Sequence, residues 1–160
     1  MMFTPQERHE MIAKIRQLPG QVEAAVRGLN DQQLDTPYGP GKWTPRQVVH
    51  HLADSHMNAM LRMKTVIAED RPTLKTYNQD DWAKFRDASA IPVDSSLQII
   101  HGLQHRMAEM LDHVKDADWS RKALHPERGE ITLDDLLKIY SHHGEKHCGQ
   151  IAGLRAVKGW

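Results

Sequence analysis

The chain has 160 residues, about the length of one domain and enough to bury a real core, so a single domain over 1–160 is expected. Its 21 Lys and Arg balance 21 Asp and Glu, which leaves no basic footprint for nucleic acid, and no apolar run approaches the roughly twenty residues of a membrane span. With 39% hydrophobic and 26% charged residues the composition is globular; the lone Cys148 makes no internal disulfide, and no signal-peptide-like apolar stretch opens the chain, so a cytoplasmic address is expected.

The spacing of Met11, Ile15, Leu18, Val22, Val26 and Leu29 predicts a first helix over 5–29, with Pro19 expected to kink or interrupt it. A turn-rich stretch over 35–41 follows. Thr44 as cap, Pro45 in the first turn and Gln47 three residues after the cap open a second helix, whose apolar stripe Val49, Leu52, Met60, Met63 and Ile67 runs to about Ala68. The connection over 69–93 is long and proline-containing, with a short helix expected at 80–85; connections of this length often serve as lids or partner contacts.

Asp94 or Ser95 should cap a third helix carrying Leu97, Ile100, Gln104, Met107, Leu111 and Val114 to about Lys115, in which Gln104 is the one polar member of the stripe. A second connection over 116–131 holds His125-Pro126 and Gly129. Thr132 and Asp135 then open a fourth helix with the cleanest repeat of all: Leu133, Leu137, Tyr140, Gly144, His147, Ile151 and Leu154. No alternating run is long enough to predict a strand. Four helices with core-facing stripes make an all-α chain, a four-helix bundle.

Eleven histidines are many for this length. His147 falls on the core stripe of the last helix and His143 lies one turn before it, so both imidazoles leave the helix on one side. Burying two imidazoles without partners costs free energy, whereas a divalent ion uses their ring nitrogens directly, so metal binding is expected ahead of the alternative, a hydrogen-bonded core pair. Glu145 is rotated about 200° from His143, so the pair does not form the H-E-x-x-H arrangement of zinc peptidases. Gly144 between them leaves a gap read as room for metal, water or substrate.

A third ligand should come from a facing helix, and the second helix offers the histidine-rich run from His50 to His56. From His51, Ser55, Asn58 and Arg62 continue a polar stripe at helical spacing, and Asp54 lies one turn from His51, where it can orient an imidazole or a solvent ligand. Asp54 and Ser55 are the candidates for moving protons; Asn58, Arg62 and Tyr140 are the candidates for holding an anionic substrate. His50 and His56 read as surface or supporting groups, and Cys148 as a small packed residue. Met57, Met60, Met63, Met107 and Met110 read as core filler, Trp43 and Trp82 as packing anchors, and His125 as an exposed loop residue.

The run Trp43-Thr-Pro-Arg-Gln-Val-Val-His-His-Leu-Ala-Asp-Ser-His-Met-Asn58, followed by Arg62 and the distal His143-x-x-x-His147, resembles the DinB/YfiT-like superfamily, closest to its YfiT-type metal-dependent hydrolases and bacillithiol transferase-like members. Leu34 to Tyr38, the Tyr77 and Trp82 loop and His125-Pro126 extend the resemblance over most of the chain. It implies a four-helix bundle of up-down-down-up arrangement, one divalent ion per chain (zinc or nickel) held by His51, His143 and His147, and a homodimer. The implied chemistry is hydrolysis, or transfer of a low-molecular-weight thiol such as bacillithiol or mycothiol, on a small-molecule substrate. A non-catalytic, stress-related, metal-binding dimeric bundle is the alternative.

Overall fold

In the computed structural model, which describes residues 2–160, side-chain caps set where most of the long helices begin. Helix α1 (Pro5–Val26) opens on a reciprocal box between Thr4 and Glu7. After the single turn α2 (Asp31–Leu34), helix α3 (Pro45–Ala68) opens on the Thr44 and Gln47 box. The next connection carries two single turns, α4 (Gln79–Trp82), which overlaps the short helix expected there, and α5 (Arg86–Ser89). Helix α6 (Asp94–Asp112) precedes a 3-10 turn (Asp116–Ser120) and a hairpin of β1 (Lys122–His125) and β2 (Gly129–Thr132). Helix α7 (Leu133–Lys158) begins on the Thr132 and Asp135 box and stops at Gly159, whose φ of 70° suits a residue without a Cβ.

Three local expectations are corrected. Helix α1 runs through Pro19 without interruption: Ile15 and Leu18 before it and Val22 after it are all buried in the bundle core, and that packing on both sides offsets the local cost of the proline. Helix α6 has Val93 at its cap position with no side-chain bond; Asp94 sits inside the first turn, where its charge suits the positive end of the helix, and the helix ends at Asp112 rather than near 115. The connection before α7 is a hairpin with Lys122 opposite Thr132 and His125 opposite Gly129, its strands too short to declare themselves by alternation. Leu74 N–H donates to Leu124 O and Leu124 N–H to Pro72 O, both at 2.9 Å, so the connection after α3 is stitched to this hairpin.

The long helices form a bundle in which α1 packs against α6 and α7, and α3 against the same two. Helices that follow one another among these four, α1 with α3 and α6 with α7, therefore lie across the diagonal. Arg8 pairs with Asp134 and Arg155 bonds the carbonyl of Ala25, so α1 and α7 run parallel; His50 meets Ser96 and His56 meets Gln104, so α3 and α6 run parallel. Arg62 meeting Tyr140 while His51 meets His143 makes α3 antiparallel to α7, which gives the up-down-down-up order. One apolar cluster gathers Ile15, Met63, Met107 and Leu137, another Val22, Val49, Leu52 and Ile151. Met60, Met63 and Met107 belong to the core, but Met57 is 41% exposed, on the outward side of α3. Among the described residues, no helix is long and apolar enough to cross a membrane.

Candidate metal centre

Antiparallel packing of α3 on α7 brings His51 against the one-turn pair His143 and His147. One ring nitrogen from each lies within 4.8 Å of the others, and His51 Nε2 stands 3.4 Å from His143 Nε2. Burial pushes His51 down to about 3 and His143 down to about 2, with neighbouring histidines opposing a further positive charge. Burial lowers His147 as well, against a hydrogen bond from its Nδ1–H to Gln150 Oε1 at 2.8 Å. All three rings are thus neutral at neutral pH. The Gln150 bond leaves the Nε2 lone pair of His147 free. Three neutral nitrogen donors converging from two helices are a donor set that fits a divalent ion with positions left open.

Neighbouring residues fix the rings. Trp43, just before α3, packs on His51 with ring centres 4.6 Å apart and stacks on His147 at 6.2 Å, so it is a wall of the site as well as a packing anchor. His56 is fully buried and not a surface group: its Nε2 lies 3.5 Å from His143 Nδ1, and its Nδ1 2.5 Å from the Gln104 side-chain amide. That contact accounts for the one polar member of the α6 stripe. His50 is also buried, but away from the site, bonding Ser96 Oγ at 2.8 Å and the Ile91 carbonyl at 3.2 Å. The space expected at Gly144 does not exist: a Cβ there would fall among the Leu18 methyl groups, so this glycine lets α1 approach α7.

A cavity of about 390 Å³ opens beside His143, lined by Ser55, Arg62, Tyr77, His125 and Tyr140 among others. Arg62 donates from Nη1 to the Tyr140 hydroxyl at 2.6 Å and from Nε and Nη2 to the Lys75 carbonyl at 3.2 and 2.8 Å. Among the described residues it pairs with no carboxylate. Because the Tyr140 oxygen accepts from Arg62, its own hydrogen is free to donate. His125, expected as an exposed loop residue, is 6% exposed at the end of β1 and faces this cavity, brought there by the hairpin. A second cleft of about 620 Å³, with Lys42, Trp43, Lys146 and Gln150 in its walls, meets the first at His143.

The remaining candidates are placed unevenly. Ser55 is buried and lines the first cavity. Asp54 makes no bond to an imidazole; partial burial raises its carboxyl to about 6, with Asp87 adding repulsion. Asn58 donates its side-chain amide to the Asp54 carbonyl at 2.9 Å and does not line the cavity. Cys148 packs beside the second apolar cluster, and burial pushes its thiol up to about 11. Sequence reasoning missed Tyr77, His125 and the wall formed by Trp43. Their place in the family resemblance singled them out, but not as walls of the site; as an aromatic or histidine in a connection, each becomes one only through long-range contacts.

Comparison with known proteins agrees with this architecture. The family model described as DinB superfamily matches residues 14–151. A Geobacillus kaustophilus protein named as a candidate metal-dependent hydrolase is 47% identical over 160 residues, 99% of this chain and 89% of that one. A protein of Oceanobacillus iheyensis bearing the same kind of name is 41% identical over 152 residues, 95% of this chain and 88% of the other. Among solved structures, YfiT from Bacillus subtilis, described as a candidate metal-dependent hydrolase with an unusual four-helix bundle topology, superposes with a TM-score of 0.97 at 34% identity, covering 99% of this chain and 91% of its own. The mycothiol-dependent maleylpyruvate isomerase shares the fold at a TM-score of 0.71 and 14% identity, covering 94% of this chain and 63% of its own.

Proposed function

The chain belongs to the DinB superfamily, and we propose that His51, His143 and His147 hold one divalent ion, zinc or nickel, in an enzyme acting on small molecules, either a hydrolase or a transferase of a low-molecular-weight thiol. The observation that carries this reading is the convergence of three neutral imidazoles within 4.8 Å, those of His51 and His147 buried and that of His143 half-buried. A divalent ion bound there supplies Lewis-acid charge, which lowers the pKa of water or a thiol toward neutrality. Neutral ligands do not offset that charge, so an anionic nucleophile is favoured.

The chain's own residues do the rest. Arg62, with no carboxylate of its own, and the free hydrogen of Tyr140 hold an anionic group of the substrate in the first cavity. Ser55 offers a hydroxyl on the same wall; Asp54, the neighbouring residue, lines neither cleft, but its carboxyl near 6 keeps it as the candidate for proton uptake or release near neutral pH. Trp43 closes the far side of the imidazoles. The two clefts meeting at His143 favour the two-reactant chemistry of thiol transfer, since each has room for one partner. Met57 and Leu61, one turn apart and exposed on α3, are consistent with a homodimer; a cytoplasmic address belongs to the same proposal.

The test is elemental analysis of tag-free protein prepared without chelators, wild type beside His143→Ala, with circular dichroism to confirm helicity. About one divalent ion per chain in the wild type, lost in the folded variant, is the expected result. No metal after reconstitution with zinc, nickel or manganese would overturn the proposal. Assays with an electrophile, with and without added thiol, then separate transfer from hydrolysis, and absence of turnover with metal bound would leave the non-catalytic reading.

A further inference from the structure

The geometry points to a hydrogen-bond chain, Gln104 to His56 to His143, which selects the ring nitrogen that His143 presents to a metal; the inference rests on the three-histidine reading. His143 has two ring nitrogens in different surroundings. Its Nε2 stands 3.4 Å from His51 Nε2, among the converging donors, while its Nδ1 faces His56 Nε2 at 3.5 Å. A neutral imidazole carries one hydrogen. For His143 to offer a lone pair from Nε2, that hydrogen must sit on Nδ1.

The consequence passes back through the core. His143 Nδ1–H donates to His56 Nε2 only if that nitrogen is bare, so the His56 hydrogen must be on Nδ1. His56 Nδ1–H in turn needs an acceptor, and the only side chain there is the Gln104 amide, fully buried on α6. Among the described residues, Gln104 Oε1 is the one buried side-chain polar atom without a hydrogen-bond partner, while Gln104 Nε2 lies 2.5 Å from His56 Nδ1. Amide oxygen and nitrogen are nearly isosteric, and turning the group by half a rotation sets Oε1 on His56 Nδ1–H. The opposite orientation reverses every bond in the chain. The amide would then donate to His56 Nδ1, His56 Nε2–H to His143 Nδ1, and the His143 hydrogen would occupy Nε2, where the lone pair is needed.

Gln104 and His56 are therefore positioning residues that act through His143. This gives α6, which contributes no ligand, a hold on the site. The position itself argues the same way: Gln104 occupies a stripe with Ile100, Met107 and Leu111, where an apolar residue would pack without needing any partner.

The test is two-bond 15N–1H correlation of the histidine rings in zinc-loaded protein, combined with zinc affinities from competition against a chromophoric chelator. His56 and His143 are both expected with hydrogen on Nδ1. Gln104→Met, similar in volume, is expected to weaken zinc binding about 10–100-fold, and His56→Phe by a similar factor, with helicity retained by circular dichroism. The double variant is expected to bind no more weakly than His56→Phe alone, since a chain already broken at its middle link has nothing further to lose. Hydrogen on Nε2 of His56 in the wild type, wild-type affinity in Gln104→Met, or additive losses in the double variant would each overturn the chain. If the variants do not fold, the wild-type spectrum still decides. If zinc does not bind the wild type, the metal reading falls, and the chain is judged on the metal-free spectrum alone: hydrogen on Nδ1 of both His56 and His143 keeps it, and hydrogen on Nε2 of either overturns it.

Discussion

Leu18 of α1 lies directly over Gly144 of α7, occupying the space that any Cβ at 144 would need. The same glycine separates the two histidines of the last helix. Gly144→Ala is therefore expected to destabilise the protein by about 1–3 kcal/mol through overpacking, despite the higher helix propensity of alanine. Leu18→Ala alone costs about 2–5 kcal/mol by leaving a cavity. Combined, the two changes should cost clearly less than their sum. Urea unfolding of the two single variants and the double variant checks this, and strict additivity would show that Leu18 and Gly144 do not meet as described.

A second prediction concerns the ion pair that ties the start of α1 to the start of α7. Arg8 meets Asp134 through two bonds of 2.8 Å, with side chains 7% and 1% exposed, and Asp134 also accepts from the Phe3 backbone N–H at 3.0 Å. Asp134→Ala leaves the guanidinium buried without its partner and should cost about 3–5 kcal/mol. By contrast, Lys14→Ala, which loses a half-exposed pair with Glu145, should cost less than about 1 kcal/mol. Equal losses in thermal unfolding would contradict the assigned burial.

Acid should unfold the metal-free protein by a route set by its histidines. Burial holds His51 near 3, His56 near 4 and His143 near 2, all below the ordinary value of 6.5. Below pH 6.5 the unfolded chain binds protons at these positions and the folded chain does not. Stability is thus full above pH 6.5 and falls as pH drops toward the folded values. Each histidine contributes up to about 1.4 kcal/mol per pH unit in that window. Urea midpoints at pH 7, 6 and 5 should show the decline, and His143→Gln should make it shallower. A slope unchanged in the variant would mean that His143 is not buried as a neutral ring.

Cys148 is predicted to be a poor nucleophile. With its thiol pushed up to about 11 by burial alone, its thiolate fraction at pH 8 falls about two orders of magnitude below that of a free cysteine. Iodoacetamide should label the native chain correspondingly slowly and the urea-unfolded chain at the ordinary rate. Fast labelling of the native protein would place the thiol in a different environment.

The features legible in the sequence were those fixed by local chemistry. Thr44 with Gln47 and Thr132 with Asp135 mark helix starts because the cap and its partner are three residues apart, whatever else the chain does. The one-turn spacing of His143 and His147 is equally local. What escaped was set by distant contacts. Gly144 reads as a gap until Leu18 is known to fill it. His125 reads as loop until the 72–74 segment is seen bonded to Leu124. Pro19 reads as a break because its missing N–H is local information, while the core packing that carries α1 through it is not. His56 and Gln104 meet across 48 residues, a pairing no spacing rule reaches.

The diagonal placement of successive helices carries a consequence for assembly. His51 and His143 are separated by 92 residues, and α3 packs on α7 only when the last long helix is in place. A growing chain that has not yet reached residue 143 has one of the three imidazoles, and a lone imidazole holds a divalent ion weakly. If the proposed centre binds its ion, occupancy would therefore be a certificate of completed folding, and in a pulse-labelled synthesis tight metal uptake should lag the appearance of the first helices.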